Sequence, residues 1–136
     1  MITYKDIYDV ARNERYSKEL QKLPNSFIGD VSDYIGEKKQ VALKQDSDFS
    51  EVITKTKKQL ENAITLFKEF IIRRRKKILD LVLVASETGI SKKDFDNMLD
   101  FEKELFDDLM KSIINSEKKV SGIISGKARA EKMQAV

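Results

Sequence analysis

The chain has 136 residues with a net charge of +3, and 36% of its residues are charged, yet it contains no cysteine, no histidine and only one proline. Because it lacks cysteine and histidine, this sequence cannot form a disulfide, a zinc ribbon, a thiol nucleophile or a Ser-His triad. Few turn residues and many charges favour long solvated helices over a barrel or sandwich, and the mildly basic balance permits contact with nucleic acid without indicating it strongly.

Two amphipathic helices are predicted in the first third of the chain. The first should fade near the segment KLPNS, because Pro24 disfavours helical backbone at Leu23. After the proline, Asn25 or Ser26 can cap the second helix. The apolar positions are Tyr4, Ile7, Tyr8 and Ala11 in the first helix, and Phe27, Val31, Tyr34, Ile35 and Ala42 in the second.

A third and much longer helix is predicted from about residue 50 to about 85, which is roughly 50 Å at 1.5 Å per residue. The polar segment QDSDFS precedes it, and Asp48 or Ser50 is a suitable N-cap. Gly89 is placed to end it in the left-handed conformation. One face should carry Val52, Leu60, Ile64, Phe67, Ile71, Ile78, Leu81 and Ala85.

A fourth helix is predicted to begin at Ser91, because Ser91 and Asp94 form an S-x-x-D start signal. After Val120 the helical pattern is lost, and residues 121–136 are predicted to be a flexible linker or tail. The predicted fold is therefore an all-α helical bundle built around one very long helix, with one helical domain over 1–120. The apolar stripe of the fourth helix is Phe95, Met98, Leu99, Phe106, Leu109, Ile113 and Val120, with Leu105 alongside.

A run of five consecutive cations lies between two apolar runs in FIIRRRKKILDLVLV, residues 70–84. On a helix, five consecutive residues sweep about 400° of arc, so these cations cannot all point in one direction. In one interpretation most of them form a solvated face, while an inward-leaning one pairs with a carboxylate from another helix. In the other interpretation part of the cluster contacts phosphate. The five cations are Arg73, Arg74, Arg75, Lys76 and Lys77.

Acidic residues concentrate in the predicted fourth helix. Residues 94–108 hold seven acids and a single lysine, whereas the third helix is basic. The opposite charges of these two helices either offset each other in the fold or form complementary patches for neighbouring chains. No glycine-rich phosphate loop, calcium loop or activated nucleophile accompanies the carboxylates, so we expect no enzyme activity, no metal and no cofactor.

Two segments, taken in order, carry a resemblance to a known family. ERYSKELQKLPNSF leads from the first helix into the second, and KEFIIRRRKKILDLVLVAS closes the third. Over about residues 3–120 the chain resembles the helical domain of an archaeal GINS subunit, of the type that carries this domain first. The resemblance implies a GINS helical-domain-like fold and a non-catalytic scaffold at the replication fork, in a homo- or heterotetramer formed through long helices.

The resemblance also implies partners and a location. The partners are other GINS subunits, the MCM helicase and a RecJ-like protein, and the location is the cytoplasm, at the nucleoid and the replication fork. Family members of this type continue into a small β domain, and no strand pattern follows Val120 here. Tetramer formation is therefore implied more directly than binding of the RecJ-like protein or of the helicase.

The long helix also carries apolar residues beside its main stripe, and uncovered apolar surface marks an interface. The predicted subunit contacts are Ile72, Leu79 and Leu83, together with Leu81 and Ile78 of the stripe itself. The alternative is that the other three helices bury this surface. An alternative function is a small basic helical DNA-binding protein that uses the five cations directly.

The start of the chain, MITYKDIYDV, has charges where a secretory signal would be apolar. The longest apolar run, ILDLVLVA, is interrupted by Asp80 and is far shorter than the roughly 20 residues that span a bilayer. We therefore expect a soluble intracellular protein that makes no membrane contact.

Overall fold

The computed structural model describes residues 1–44 and 50–126, and these residues form five α-helices and no strand. The predicted class, an all-α helical bundle built around one very long helix, is confirmed for this part of the chain. The helices are α1 (Tyr4–Tyr16), α2 (Phe27–Ala42), α3 (Ser50–Thr88), α4 (Lys92–Asp96) and α5 (Asp100–Ile124).

The chain divides into two compact units, Met1–Lys77 and Ile78–Val136. The first unit contains α1, α2 and most of α3, while the second contains the end of α3 together with α4 and α5. The sequence did not indicate this boundary, because it falls inside an uninterrupted helix. The single helical domain over 1–120 stays a prediction.

A capping box begins α1. The hydroxyl of Thr3 accepts a hydrogen bond from the backbone N–H of Asp6 at 3.2 Å, and the Asp6 carboxylate accepts from the backbone N–H of Thr3 at 2.8 Å. The carboxylate also accepts from the Thr3 hydroxyl at 2.9 Å. The backbone hydrogen bond from Thr3, followed by the hydroxyl bond, lowers the pKa of Asp6 below its ordinary value of 3.8.

We expect Thr3→Ala to lower the free energy of unfolding by about 1 kcal/mol at pH 7, because the N-cap acceptor is lost. Since the native-state pKa of Asp6 is lowered, its contribution is present above the unfolded-state pKa and is lost as the pH falls through the native-state value. Urea unfolding should therefore show a smaller difference between the variant and the parent at pH 2 than at pH 7, because protonation of Asp6 removes the bond that its carboxylate accepts from the Thr3 hydroxyl, whereas the N-cap bond from the Asp6 N–H persists in acid.

The matched control is Thr65→Ala, at an exposed position inside α3. Its difference from the parent should be small and independent of pH, because no capping carboxylate is involved. A Thr3→Ala difference that is as large at pH 2 as at pH 7 contradicts the role assigned to Asp6.

The core of the first unit is built by α1, α2 and the first part of α3. The Phe27 ring meets the Phe70 ring edge to face, with 5.6 Å between centroids and an interplanar angle of 68°. Such aromatic pairs stabilise a core beyond the area that they bury. The buried cluster consists of Ile7, Phe27, Val31, Tyr34, Ala63 and Phe70.

The predicted core face of α3 was wrong by one residue at two positions. Ala63 and Phe70 are almost fully buried, whereas the predicted Ile64 and Ile71 are only half-buried. Periodicity finds a stripe but not its centre, which depends on the helices that pack against it. The next position of the true stripe after Phe70 is the buried Arg74.

In the second unit, the predicted fourth helix is two helices. Ser91 accepts a hydrogen bond from the backbone N–H of Asp94 at 3.1 Å, which confirms the predicted start. The backbone of Leu99 is extended, and its N–H donates to the Glu102 carboxylate at 2.8 Å. Because Glu102 satisfies that donor, a new helix begins there, and one continuous helix from Ser91 was wrong.

Two glycines mark helix ends in the second unit. Gly89 has a φ of 78° and follows α3, as predicted, and Gly126 has a φ of 81° just beyond α5. Helix α5 therefore extends to Ile124, whereas the linker was predicted to begin at residue 121. The predicted N-caps, Asp48 and the Ser50 side chain, and the predicted tail over 127–136 lie outside the described residues.

At the start of α2, Ser26 occupies the N-cap position but its side chain makes no capping hydrogen bond.

Candidate functional site

A buried ion network joins α1 to α3 in the first unit. Arg74 Nη1 lies 2.6 Å from Glu14 Oε1, and both side chains are completely buried. Lys77 forms a salt bridge with the other carboxylate oxygen of Glu14, and its side chain is 17% exposed. Buried charges are tolerated when they are paired and hydrogen-bonded, and here one buried carboxylate pairs with two cations.

The same network holds the segment between α1 and α2. Gln21 donates from Nε2 to Glu14 Oε1 at 3.2 Å and to the carbonyl of Val10 at 2.9 Å. Arg74 donates to the carbonyl of Gln21 at 3.1 Å, and Lys77 donates to the carbonyl of Glu19 at 3.0 Å. A segment without regular structure is thus fixed to α3 by side chains that satisfy its backbone groups.

The structure answers the question posed by the basic run. One cation, Arg74, points inward and pairs with a carboxylate from another helix, which confirms the first interpretation for that residue. Assigning Arg74 to a nucleic-acid or acidic-partner contact was wrong, because it has no exposed surface. Lys77 is mostly occupied by Glu14 and by backbone carbonyls. Arg73 is half-buried, and Arg75 and Lys76 are exposed.

The sequence analysis missed Glu14 and Gln21. A signal for Glu14 existed, because it lies seven residues after the buried Ile7 and so occupies a core position of α1. Arg74 occupies a core position of α3 in the same way. One buried acid and one buried base on different helices would have suggested a pair. No comparable signal marked Gln21.

A groove of about 100 Å³ lies between α1 and α3 within the first unit. Its apolar floor is formed by Ala11, Leu66 and Phe70. Its polar rim contains Arg73 of the basic run together with side chains of α1. The sequence analysis did not connect these side chains with Arg73. The rim consists of Tyr8, Arg12, Arg15, Tyr16, Glu69 and Arg73, and we call the whole feature the arginine-tyrosine groove.

An exposed apolar face runs along α3. Ile72, Leu79 and Leu83 are 45%, 43% and 58% exposed, and their spacing of seven and four residues places them on one side of the helix. We call these three residues the α3 stripe. Leu81 is half-buried, and Ile78 is completely buried within the chain, so predicting Ile78 as a subunit contact was wrong.

Several acids of α5 face solvent, as expected for the acidic helix. Asp100, Glu104, Asp107 and Asp108 are exposed, whereas Glu102 is buried and holds the N–H of Leu99. The exposed acids and the exposed cations Arg75 and Lys76 are available to neighbouring chains.

Residues 1–44 and 50–126 contain no group of three acidic side chains arranged to hold a metal ion. In that same part of the chain, no helix combines the length and apolar character needed to cross a bilayer. Comparison of the chain with protein-family models, with curated proteins and with solved structures gives no match.

Proposed function

We propose that this protein is a non-catalytic helical scaffold that assembles with other helical chains through the α3 stripe. The observation that carries the proposal is the exposure of Ile72, Leu79 and Leu83 on one face of a 39-residue helix. Surface apolar residues that occur singly need no explanation, but an aligned row on a long helix has the form of a helix-packing surface.

The α3 stripe supplies part of the free energy that assembly requires. Complete burial of a Leu or Ile side chain contributes roughly 1.5–3 kcal/mol, and these three side chains are about half exposed in the single chain. Each can therefore add about 1 kcal/mol per chain when a partner helix covers it. Exposed acids on α5 and exposed Arg75 and Lys76 on α3 can add orientation and specificity rather than affinity.

The resemblance to an archaeal GINS subunit gives this scaffold a biological setting. In that setting the chain is one subunit of a homo- or heterotetramer in DNA replication, in the cytoplasm at the replication fork. Its tetramer supports the MCM replicative helicase, and a RecJ-like protein is a further partner. The long helix and its α3 stripe support the assembly step of this proposal.

The test is the solution mass by light scattering, for the chain alone and mixed with a candidate GINS partner subunit. We expect a mass above the 15.7 kDa of one chain, either alone or after mixing. Leu83→Asp should shift the complex toward the monomer, because a charge replaces an apolar contact within the proposed helix interface.

Val52→Asp is the matched control for this variant. Val52 is 56% exposed on the same helix, and its position, about 160° around the axis from Ile72, places it off the stripe. Val52→Asp introduces the same charge as Leu83→Asp and should leave the solution mass of the complex unchanged. A wild-type chain that stays at 15.7 kDa with and without the partner contradicts the proposal, as does equal loss of assembly in both variants.

A further inference from the structure

The arginine-tyrosine groove combines an apolar floor with a basic and aromatic rim. The floor consists of Ala11 and Leu66, which keep part of their surface exposed, and the almost fully buried Phe70. Around it stand three guanidinium groups from two helices, those of Arg12, Arg15 and Arg73. The basic run alone lacked interleaved aromatic residues, and the fold supplies them by placing α1 beside α3.

Both rim tyrosines are unusually accessible. Tyr8 is 46% exposed and Tyr16 is 75% exposed, and their separation of eight residues corresponds to about 12 Å along α1. The guanidinium of Arg15 lies 5.9 Å from the centroid of the Tyr16 ring, which is within cation-π range. These rings therefore stand as open stacking surfaces with a cation beside one of them.

The rim carries a net positive charge. The three arginines face one carboxylate, that of Glu69, and within the described residues none of these three guanidinium groups has an ion-pair partner. A guanidinium presents a planar fork that matches phosphate oxygens, and it also stacks on aromatic faces. Such a rim favours a ligand that carries both phosphate and planar rings.

The size of the groove excludes an enclosed cofactor. Its volume of about 100 Å³ is well below the 300–1,000 Å³ or so of small-molecule sites. A ligand can therefore place only a small part of itself on the floor, and the rest must extend across the rim. An extended chain of linked rings and phosphates meets this requirement.

We propose that the arginine-tyrosine groove binds single-stranded nucleic acid, with bases stacked on Tyr8 and Tyr16 and phosphates held by the three arginines. Aromatic platforms combined with a basic groove are the general means by which proteins hold single strands. A duplex keeps its bases stacked inside and cannot use the tyrosines. An acidic peptide gains nothing from Glu69, whereas an N–H group of a base, such as the N3–H of thymine, can donate a hydrogen bond to it.

The experiment measures binding of a fluorescent 12-nucleotide deoxythymidine strand by anisotropy, beside a duplex of equal length and a poly-glutamate peptide. The full chain should prefer the single strand. Tyr16→Ala should weaken that binding about 5- to 100-fold, since stacking on an aromatic residue contributes that much per base. Arg12→Gln should reduce the slope of log affinity against log salt by about 0.7, the value for one phosphate contact on a single strand.

Two controls keep these results specific. Phe101→Ala removes another half-exposed aromatic ring, in the second unit, and should leave the single-strand affinity unchanged. Leu83→Asp, which is designed to disrupt assembly, should also retain binding, so the two proposals fail or succeed separately. Circular dichroism of Tyr16→Ala checks folding, which the exposure of Tyr16 should preserve.

Three outcomes overturn the proposal. Equal affinity for duplex and single strand, with no effect of Tyr16→Ala, indicates general attraction between charges. Binding of poly-glutamate in preference to the single strand indicates a protein partner for this groove. No binding of the single strand at low salt rejects the site, because electrostatic binding is strongest there.

Discussion

Arg74→Met is expected to lower the free energy of unfolding by about 3–5 kcal/mol, the magnitude for removing one partner of a buried ion pair. The Glu14 carboxylate is completely buried, and it would lose the hydrogen bond that Arg74 donates at 2.6 Å. The carbonyl of Gln21 would lose a donor as well. Since domains of this size have about 5–15 kcal/mol of total stability, the variant should be close to unfolding.

Arg75→Met is the matched control, because it makes the same exchange at the adjacent, exposed residue. Its effect should stay within about 0.5 kcal/mol, as for most surface substitutions. Urea unfolding followed by circular dichroism measures both variants. Equal effects of the two exchanges would refute the structural role of Arg74.

A double variant separates the loss of the ion pair from the loss of packing. Glu14→Leu combined with Arg74→Met replaces both buried charges with apolar groups and leaves only the partly exposed Lys77 without its carboxylate. It should be more stable than Arg74→Met alone, because the buried Glu14 carboxylate, which would keep only Lys77 as an ion-pair partner, is removed as well. The free energies of unfolding lost in Glu14→Leu and in Arg74→Met should also be measured singly. If their sum equals the loss in the double variant, the two residues do not act as a pair.

Phe70→Ala is expected to lower the free energy of unfolding by about 3–5 kcal/mol, through lost burial and the cavity that remains. Phe70 is only 1% exposed, and its ring contacts those of Phe27 and Phe67, with centroid distances of 5.6 Å and 6.0 Å. The guanidinium of Arg74 lies 5.6 Å from the same ring. The substitution therefore weakens the core and the packing of the buried cation together.

Thermal and urea unfolding of Phe70→Ala should be compared with those of Phe101→Ala. Phe101 is 46% exposed, so its truncation removes less buried area and leaves no internal cavity. We expect a loss below about 1 kcal/mol for this control. A loss at Phe70 no greater than at Phe101 would contradict the assignment of Phe70 to the core.

The helices of this protein follow from local signals. Pro24 separates the first two helices, the Ser91 hydroxyl begins α4 and Gly89 follows α3, all as expected from short stretches of sequence. An uninterrupted pattern of apolar residues without glycine or proline predicted the long helix to within three residues at its end. These features depend on backbone geometry and nearest neighbours, which a single sequence contains.

The inner face of α3 and the extent of the fourth predicted helix were less predictable. The stripe of α3 centres on Ala63 and Phe70 rather than on Ile64 and Ile71, and the fourth predicted helix breaks at Leu99. In both cases the outcome depends on a particular neighbour: the helices that pack on α3 in one, and the carboxylate of Glu102 in the other. Hydrophobic periodicity contains no information about such neighbours.

By itself, the sequence determined the all-α class, the long helix and the fact that five consecutive cations must point in several directions. The tertiary structure alone decided that Arg74 is the inward cation and that Glu14, 60 residues earlier, is its partner. It also decided that Arg73 meets the tyrosines of α1 in one groove. The physical reason is that helix formation depends on neighbours along the chain, whereas the pairing of charges depends on contacts that only packing brings together.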